Sequence, residues 1–88
     1  MAKKYQITKF KHSTGQEYKS DIGTVAELVE YYRYTLETGR SYQHEKGNKK
    51  INCNPTTIKS LVTNLNNAVD NSAANGYAGL SFEAVEII

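Results

Sequence analysis

TVAELVEYYRYTLETG, residues 24–39, decides the fold because it is an amphipathic helix with its own start signal. Thr24 is followed three residues later by Glu27, the spacing of a capping box in which each side chain satisfies a backbone N–H at the helix start. At 100° per residue, one narrow arc holds Val25, Leu28, Val29, Tyr32 and Leu36. The stretch therefore predicts a helix with one buried stripe, ended by Gly39 in the C′ position.

A second helix is predicted after residue 54. Asn54 is a good capping residue, and Pro55 suits the first helical position, where its missing N–H is not needed. The apolar stripe of this helix comprises Ile58, Leu61, Val62, Leu65 and Val69. Gly76 is expected to stop it.

Strand-like patterns precede and follow the two helices. In KYQITKFKH, Tyr5 and Ile7 alternate with polar residues, and HSTGQ supplies a turn that contains Gly15. A second short strand, about residues 16–22, would close a hairpin. In YAGLSFEAVEII, Leu80 and Phe82 alternate with polar residues, which predicts one C-terminal strand.

The predicted order is ββααβ, an α+β fold in which two helices cover one face of a three-stranded antiparallel sheet. Residues 1–88 are expected to form a single domain. The closing strand should pair with the first, leaving the second at an edge. We expect a homodimer, because a chain this short can stabilise a free edge or a helix face with a second copy.

Positive charge is concentrated in two segments although the net charge is only +2. Residues 1–12 carry four lysines and no acid, and residues 39–54 carry a net +3, whereas the rest of the chain is acidic on balance. The single cysteine, Cys53, the absence of a signal-like apolar run after the first lysines and the lack of a membrane-length apolar stretch predict a cytoplasmic protein.

The motifs of metal, nucleotide and catalytic sites are missing. There is no glycine-rich phosphate loop, no Cys-x-x-Cys and no His-x-x-x-His, so no metal or cofactor is expected. His12, His44 and Cys53 have no spacing that supports a nucleophile and its base. We therefore expect a protein that is not an enzyme.

GRSYQHEKGNKK, residues 39–50, is the candidate binding segment. It is long for a helix connection and mixes cations with a stackable ring and amides. The candidate nucleic-acid-binding residues are Arg40, Tyr42, His44, Lys46, Asn48, Lys49 and Lys50, together with Lys9 and Lys11 of the first strand. The pattern favours a polyanion, above all single-stranded RNA, and the alternative is a solvated run of charge.

Two tyrosines of the first helix and three asparagines of the second are candidates for contact with a protein partner. Tyr31 and Tyr34 project away from the buried stripe and could anchor an interface or stack on unpaired bases, unless one of them lies against the edge of the sheet. Asn64, Asn67 and Asn71 line up opposite the apolar stripe of the second helix, where amides could contact a partner. The alternative for the asparagines is compositional drift.

TVAELVEYYRYTLETG, GNKKIN and TNLNNAVDNSAANGYAG resemble the small accessory proteins of T-even-like bacteriophages, and among these the TifA type, inhibitors of the ToxN endoribonuclease toxin. The resemblance implies an infected bacterial cytoplasm, a counter-defence role and contact with both RNA and a host ribonuclease toxin. Two hypotheses follow: an RNA-binding inhibitor of a host nuclease, or an inhibitor that binds a host factor without nucleic acid.

Overall fold

The computed structural model describes residues 3–41, 50–71 and 79–87, and within these ranges the chain forms three strands and three helices. In chain order they are β1 (Lys4–Lys11), β2 (Gln16–Gly23), α1 (Val25–Tyr31), α2 (Arg33–Ser41), α3 (Ile58–Asn71) and β3 (Leu80–Ile87). The α+β class and the antiparallel sheet of three strands are confirmed.

The sheet has the order β2-β1-β3, so β1 is central and β3 pairs with it as predicted. Gly15, with φ of 71°, forms the turn between β1 and β2 in a conformation that side chains other than glycine rarely adopt. Between the pairs Gln6–Ile22 and Thr8–Lys19 the register shifts by one residue. Because of this extra residue in β2, two side chains on either side of the bulge that would share a face in a regular strand point to opposite faces of the sheet.

The core lies between the helices and one face of the sheet. Ile7 and Phe82 contribute from β1 and β3, and Leu28, Leu36, Leu61 and Leu65 contribute from the helices, all of them buried. The opposite face of the sheet exposes Ile22, Val85 and Ile87. We refer to the two faces as the helix side and the open side.

The helix predicted over residues 24–39 is divided at Tyr32, so that prediction of a single helix was wrong. Tyr32 has φ of −103° and ψ of 11°, and the bend lets α1 lie against β2 while α2 packs against α3. The Tyr32 ring is buried there, edge-on to Phe82 with the ring centroids 5.9 Å apart. The capping box predicted for α1 is present, since the Glu27 amide donates to Thr24 Oγ1 and the Thr24 amide donates to Glu27 Oε1.

The prediction that Gly39 ends the helix was wrong. α2 continues to Ser41, and Gly39 faces α3, where a Cβ built on it would lie 2.4 Å from the Ala68 Cα. The glycine is therefore needed for the close approach of two helices and not for a left-handed turn, because its φ is not among the positive values of the described glycines.

The start of the second predicted helix was also placed too early. α3 begins at Ile58, and Thr57 acts as its cap, because the Ser60 amide donates to Thr57 Oγ1 at 3.1 Å and the Leu61 amide donates to the Thr57 carbonyl. Asn54 instead accepts from the Arg33 guanidinium at 3.1 Å. The predicted stripe of α3 is confirmed, and the predicted stop at Gly76 lies outside the described residues.

Candidate nucleic-acid interface

Lys9 and Lys11 lie on the helix side of the sheet, at its end nearest the β1–β2 turn. Strand alternation places them on the face of Ile7, and their neighbours in the pairing are Tyr18 and Phe82 for Lys9 and Gln16 and Leu80 for Lys11. Lys9 is half-buried, with its Nζ 5.9 Å from the centroid of the Phe82 ring, whereas Lys11 is exposed. The apolar stem of Lys9 thus packs on the core while Lys11 is accessible to a ligand.

Arg40 reaches the same end of the molecule through helix packing. It is exposed in the last turn of α2, one turn beyond the buried Leu36 and next to Gly39, which contacts Ala68 of α3. Asn66, two residues before Ala68, hydrogen bonds to the backbone of Phe82, the partner of Lys9. The C-terminal end of α2 therefore packs on the half of α3 that contacts β3 at Phe82, the cross-strand neighbour of Lys9.

Lys50 belongs to the segment that returns along α3. It is exposed and precedes Ile51, which is buried, and Asn52, whose amide donates to Asn64 Oδ1 at 2.7 Å. Of the predicted cations in residues 39–50, Arg40 thus belongs to α2, and Lys50 precedes a segment that packs on α3. Tyr42, His44, Lys46, Asn48 and Lys49 lie outside the described residues, and their roles stay predictions from the sequence.

Tyr18 is an exposed aromatic residue beside Lys9 that was not predicted from the sequence. Its side chain is 45% exposed and lies across the strand pair from Lys9, and its hydroxyl donates to Gln16 Oε1. In an unbulged strand Tyr18 and Ile22 would share a face, but the bulge turns Tyr18 to the helix side and Ile22 to the open side. No local pattern in QEYKSDIG signals that bulge, so an exposed aromatic beside the lysines could not be predicted.

Tyr31 and Tyr34 are exposed as predicted, at 56% and 74%, but the structure does not bring them to the lysines. Tyr34 is in the first turn of α2, six residues before Arg40, and about half a helical turn around the axis from the buried Leu36. The tyrosine pair is therefore a surface of its own, at the other end of α2.

The prediction that Asn64, Asn67 and Asn71 form an exposed face was wrong. Asn64 and Asn71 are buried and Asn67 is half-buried. Asn64 Nδ2 donates to the Ser60 carbonyl at 2.7 Å, and its Oδ1 accepts from Asn52. The cause is the chain that precedes α3, which folds back over the helix and buries Ile51, Cys53 and Pro55. Asn64 therefore satisfies a backbone group inside the protein.

Asn66 is a second polar residue that the sequence analysis missed. Its Oδ1 accepts from the Phe82 amide at 2.7 Å, and its Nδ2 donates to the Phe82 carbonyl at 3.1 Å. One amide side chain thus imitates a neighbouring strand at the outer edge of β3. Its helical position gives no sign of this role, because the contact depends on how α3 docks on β3.

The remaining chemically active groups lie elsewhere. His12 Nε2 and Ser81 Oγ are 3.0 Å apart on the open side, beside a cavity of roughly 320 Å³ that Glu17 and Glu83 also line. These two carboxylates make this cavity unfavourable for a polyanion. Cys53 is buried, and no group of three His, Cys, Asp or Glu that could hold a metal ion occurs in the described ranges.

Arg33 is not one of the candidate RNA-binding cations, because it is engaged inside the protein. Its guanidinium donates to Glu30 Oε1 at 2.7 Å, and this hydrogen bond together with the charge of Glu30 raises the pKa of Arg33. It also donates to the Cys53 carbonyl at 3.4 Å and to Asn54. Arg33 therefore connects α2 to the chain before α3.

Comparison with known proteins gives no match of this chain to a family model, a curated protein or a solved structure. None of the helices in the described part of the chain has the length and apolar content to span a membrane.

Proposed function

We propose that this protein binds single-stranded RNA through a basic surface formed by Lys9, Lys11, Tyr18, Arg40 and Lys50. The observation that supports the proposal is that both positive segments of the sequence are connected to the C-terminal half of α3: Gly39, next to Arg40, packs on Ala68, and Asn66 binds Phe82, the cross-strand neighbour of Lys9. Cations separated by about thirty positions in the chain thereby act on one ligand. Their joint potential attracts phosphates although the net charge is small.

The composition of the basic surface suits a single strand. Lys11, Arg40 and Lys50 offer charges to phosphates, while Tyr18 offers an exposed ring on which a base can stack. Among the described residues, the helix-side positions around Lys9 and Lys11 are Tyr18, Phe82, Gln16 and Leu80, none of which is acidic. A phosphate chain can therefore follow this end of the sheet without meeting a carboxylate there.

The biological setting in this proposal is the cytoplasm of an infected bacterium, where the protein uses RNA binding to inhibit a host ribonuclease toxin. The resemblance to phage accessory proteins supports it. A second candidate function, inhibition of a host factor without nucleic acid, is favoured by the exposure of Tyr31 and Tyr34 away from the basic surface.

Charge reversal at the basic surface tests RNA binding. The double substitution Lys11→Glu, Arg40→Glu should weaken binding of a short oligouridine at least about tenfold in fluorescence anisotropy, because two phosphate contacts become repulsive. The slope of log affinity against log salt should flatten by about 1.4, since each neutralised phosphate of a single strand contributes roughly 0.7.

The matched control is Lys4→Glu, Lys19→Glu, which makes the same change in net charge on the open side of the sheet. Its affinity should stay within about threefold of the unmodified protein, because the side chains of Lys4 and Lys19 point to the open side and do not contact a ligand on the helix side. Equal losses in the two double variants would show that only net charge matters and would refute the proposed surface.

Tyrosine substitutions separate the two candidate functions. Tyr18→Ala should weaken oligouridine binding by about 1–3 kcal/mol without changing the salt slope, because stacking releases no counterions. Tyr34→Ala should leave RNA affinity unchanged. If the unmodified protein does not bind oligouridine while Tyr34→Ala abolishes capture of a purified host nuclease, the second function is correct.

A further inference from the structure

The outer edge of β3 is only partly closed. Alternate residues of a strand direct their N–H and C=O groups to opposite sides, and the outward groups of Phe82 are both bound by Asn66. The next outward groups belong to Ala84 and Glu86. Within the described residues these have no backbone partner, since β3 is an edge strand of the sheet.

A groove lies beside this free edge. α3 supplies the half-buried Ile58 and Val62, β3 supplies Ala84, and the space between them is roughly 360 Å³. Lys59, which is exposed, and Glu83 also line the groove. The groove therefore offers an extended chain backbone hydrogen bonds, apolar contact and the positive charge of Lys59, with Glu83 on the strand side.

We propose that a second copy of this protein pairs its β3 with this β3, antiparallel and with the two-fold axis at Val85. In that register Ala84 lies opposite Glu86 of the partner subunit, and Glu86 lies opposite Ala84 of the partner subunit. Each pair exchanges two backbone hydrogen bonds, so the interface uses the outward groups of both Ala84 and Glu86. The two sheets join into one of six strands.

Side-chain chemistry agrees with this register. Residues directly opposite each other in a sheet share a face, so Glu86 of the partner subunit enters the groove beside Lys59. Within one copy Glu86 forms an ion pair with Lys3 at 3.3 Å, and because both side chains are exposed this pair contributes little and is easily exchanged. Val85, 58% exposed in the single chain, meets Val85 of the partner subunit at the axis.

Other edge pairings are disfavoured. An axis at Ala84 would need the backbone of Phe82, which Asn66 occupies, and an axis at Glu86 would set two carboxylates opposite each other. The edge of β2 is interrupted by its bulge and carries Lys19 and Asp21 near it. Bulges and charges are features that keep an edge strand unpaired, so β3 is the edge that dimerises.

A proline on each edge tests the proposal. Ala84→Pro removes an outward N–H while sparing the bonds between β1 and β3, and it should weaken dimerisation at least about tenfold in sedimentation velocity over a concentration series. Glu17→Pro is the matched control, because the same alternation directs its N–H away from β1 on the β2 edge. It should leave the dimer constant unchanged.

Reciprocal charge reversal checks the register without a proline. Lys59→Glu and Glu86→Lys should each weaken the dimer about three- to tenfold, and the double variant should recover to within about twofold of the original. Circular dichroism before each run confirms that the variant is folded. A mass of 9.9 kDa at every concentration, a larger loss for Glu17→Pro than for Ala84→Pro, or no recovery in the double variant would overturn the proposal.

Discussion

Tyr32→Ala should lower the free energy of unfolding by about 3–5 kcal/mol, the cost of truncating a buried aromatic side chain. Tyr32 is 7% exposed, lies at the bend between α1 and α2 and contacts the Phe82 ring. The substitution removes both apolar burial and an edge-to-face ring pair. Because a domain of this size has a total stability of about 4–13 kcal/mol, thermal denaturation should show a large fall in Tm.

Tyr34→Ala is the control in the same helical region. Its ring is 74% exposed, so its removal should change the free energy of unfolding by less than about 0.5 kcal/mol. Urea denaturation of both variants measures the contrast directly. Equal destabilisation would mean that the buried face of these helices is assigned wrongly, and the proposed separation of Tyr34 from the core would fail with it.

Gly39→Leu should be the next most damaging change, with a loss of about 3 kcal/mol. A Cβ at this position would lie 2.4 Å from the Cα of Ala68 and 2.5 Å from its carbonyl oxygen, so α2 and α3 must move apart. Gly39→Ala should lose less, because the higher helix propensity of alanine, about 1 kcal/mol, offsets part of the overlap.

Ala26→Leu controls for the added volume, since Ala26 is exposed on α1 and an extra side chain there meets solvent. It should be neutral to within about 0.5 kcal/mol in the same urea titration. If Gly39→Ala proves more stable than the unmodified protein, the close approach of α2 to α3 is not what requires glycine at this position.

The residues of the proposed binding surface could be anticipated only in part. Lys9, Lys11 and Arg40 were identified from the uneven distribution of charge, but charge along a chain does not say which segments meet. In the proposed surface, the position of Arg40 relative to the lysines depends on the docking of α2 against α3 at Gly39 and Ala68. Tyr18 could not be predicted, because a single extra residue in β2 sets its face and the strand pattern has no mark of it.

For the asparagines of α3, the sequence predicted exposure where the structure shows burial. A polar face opposite an apolar stripe normally meets water, and Asn64 and Asn71 fit that pattern. Both are nevertheless buried, and at Asn64 the reason is the chain before α3, whose Asn52 amide donates to Asn64 Oδ1. An amide can satisfy a backbone group as well as it can bind water, so composition does not distinguish the two cases.

By itself, the sequence determined the strands, the buried stripes of the helices and the capping box at Thr24. Those features follow from the residue periods of strand and helix and from hydrogen bonds between residues a few positions apart. Only the tertiary structure decided the bend at Tyr32, the close approach at Gly39, the face of Tyr18 and the burial of Asn64. Each of these depends on which distant segment comes to lie against the residue, and a local pattern carries no record of that contact.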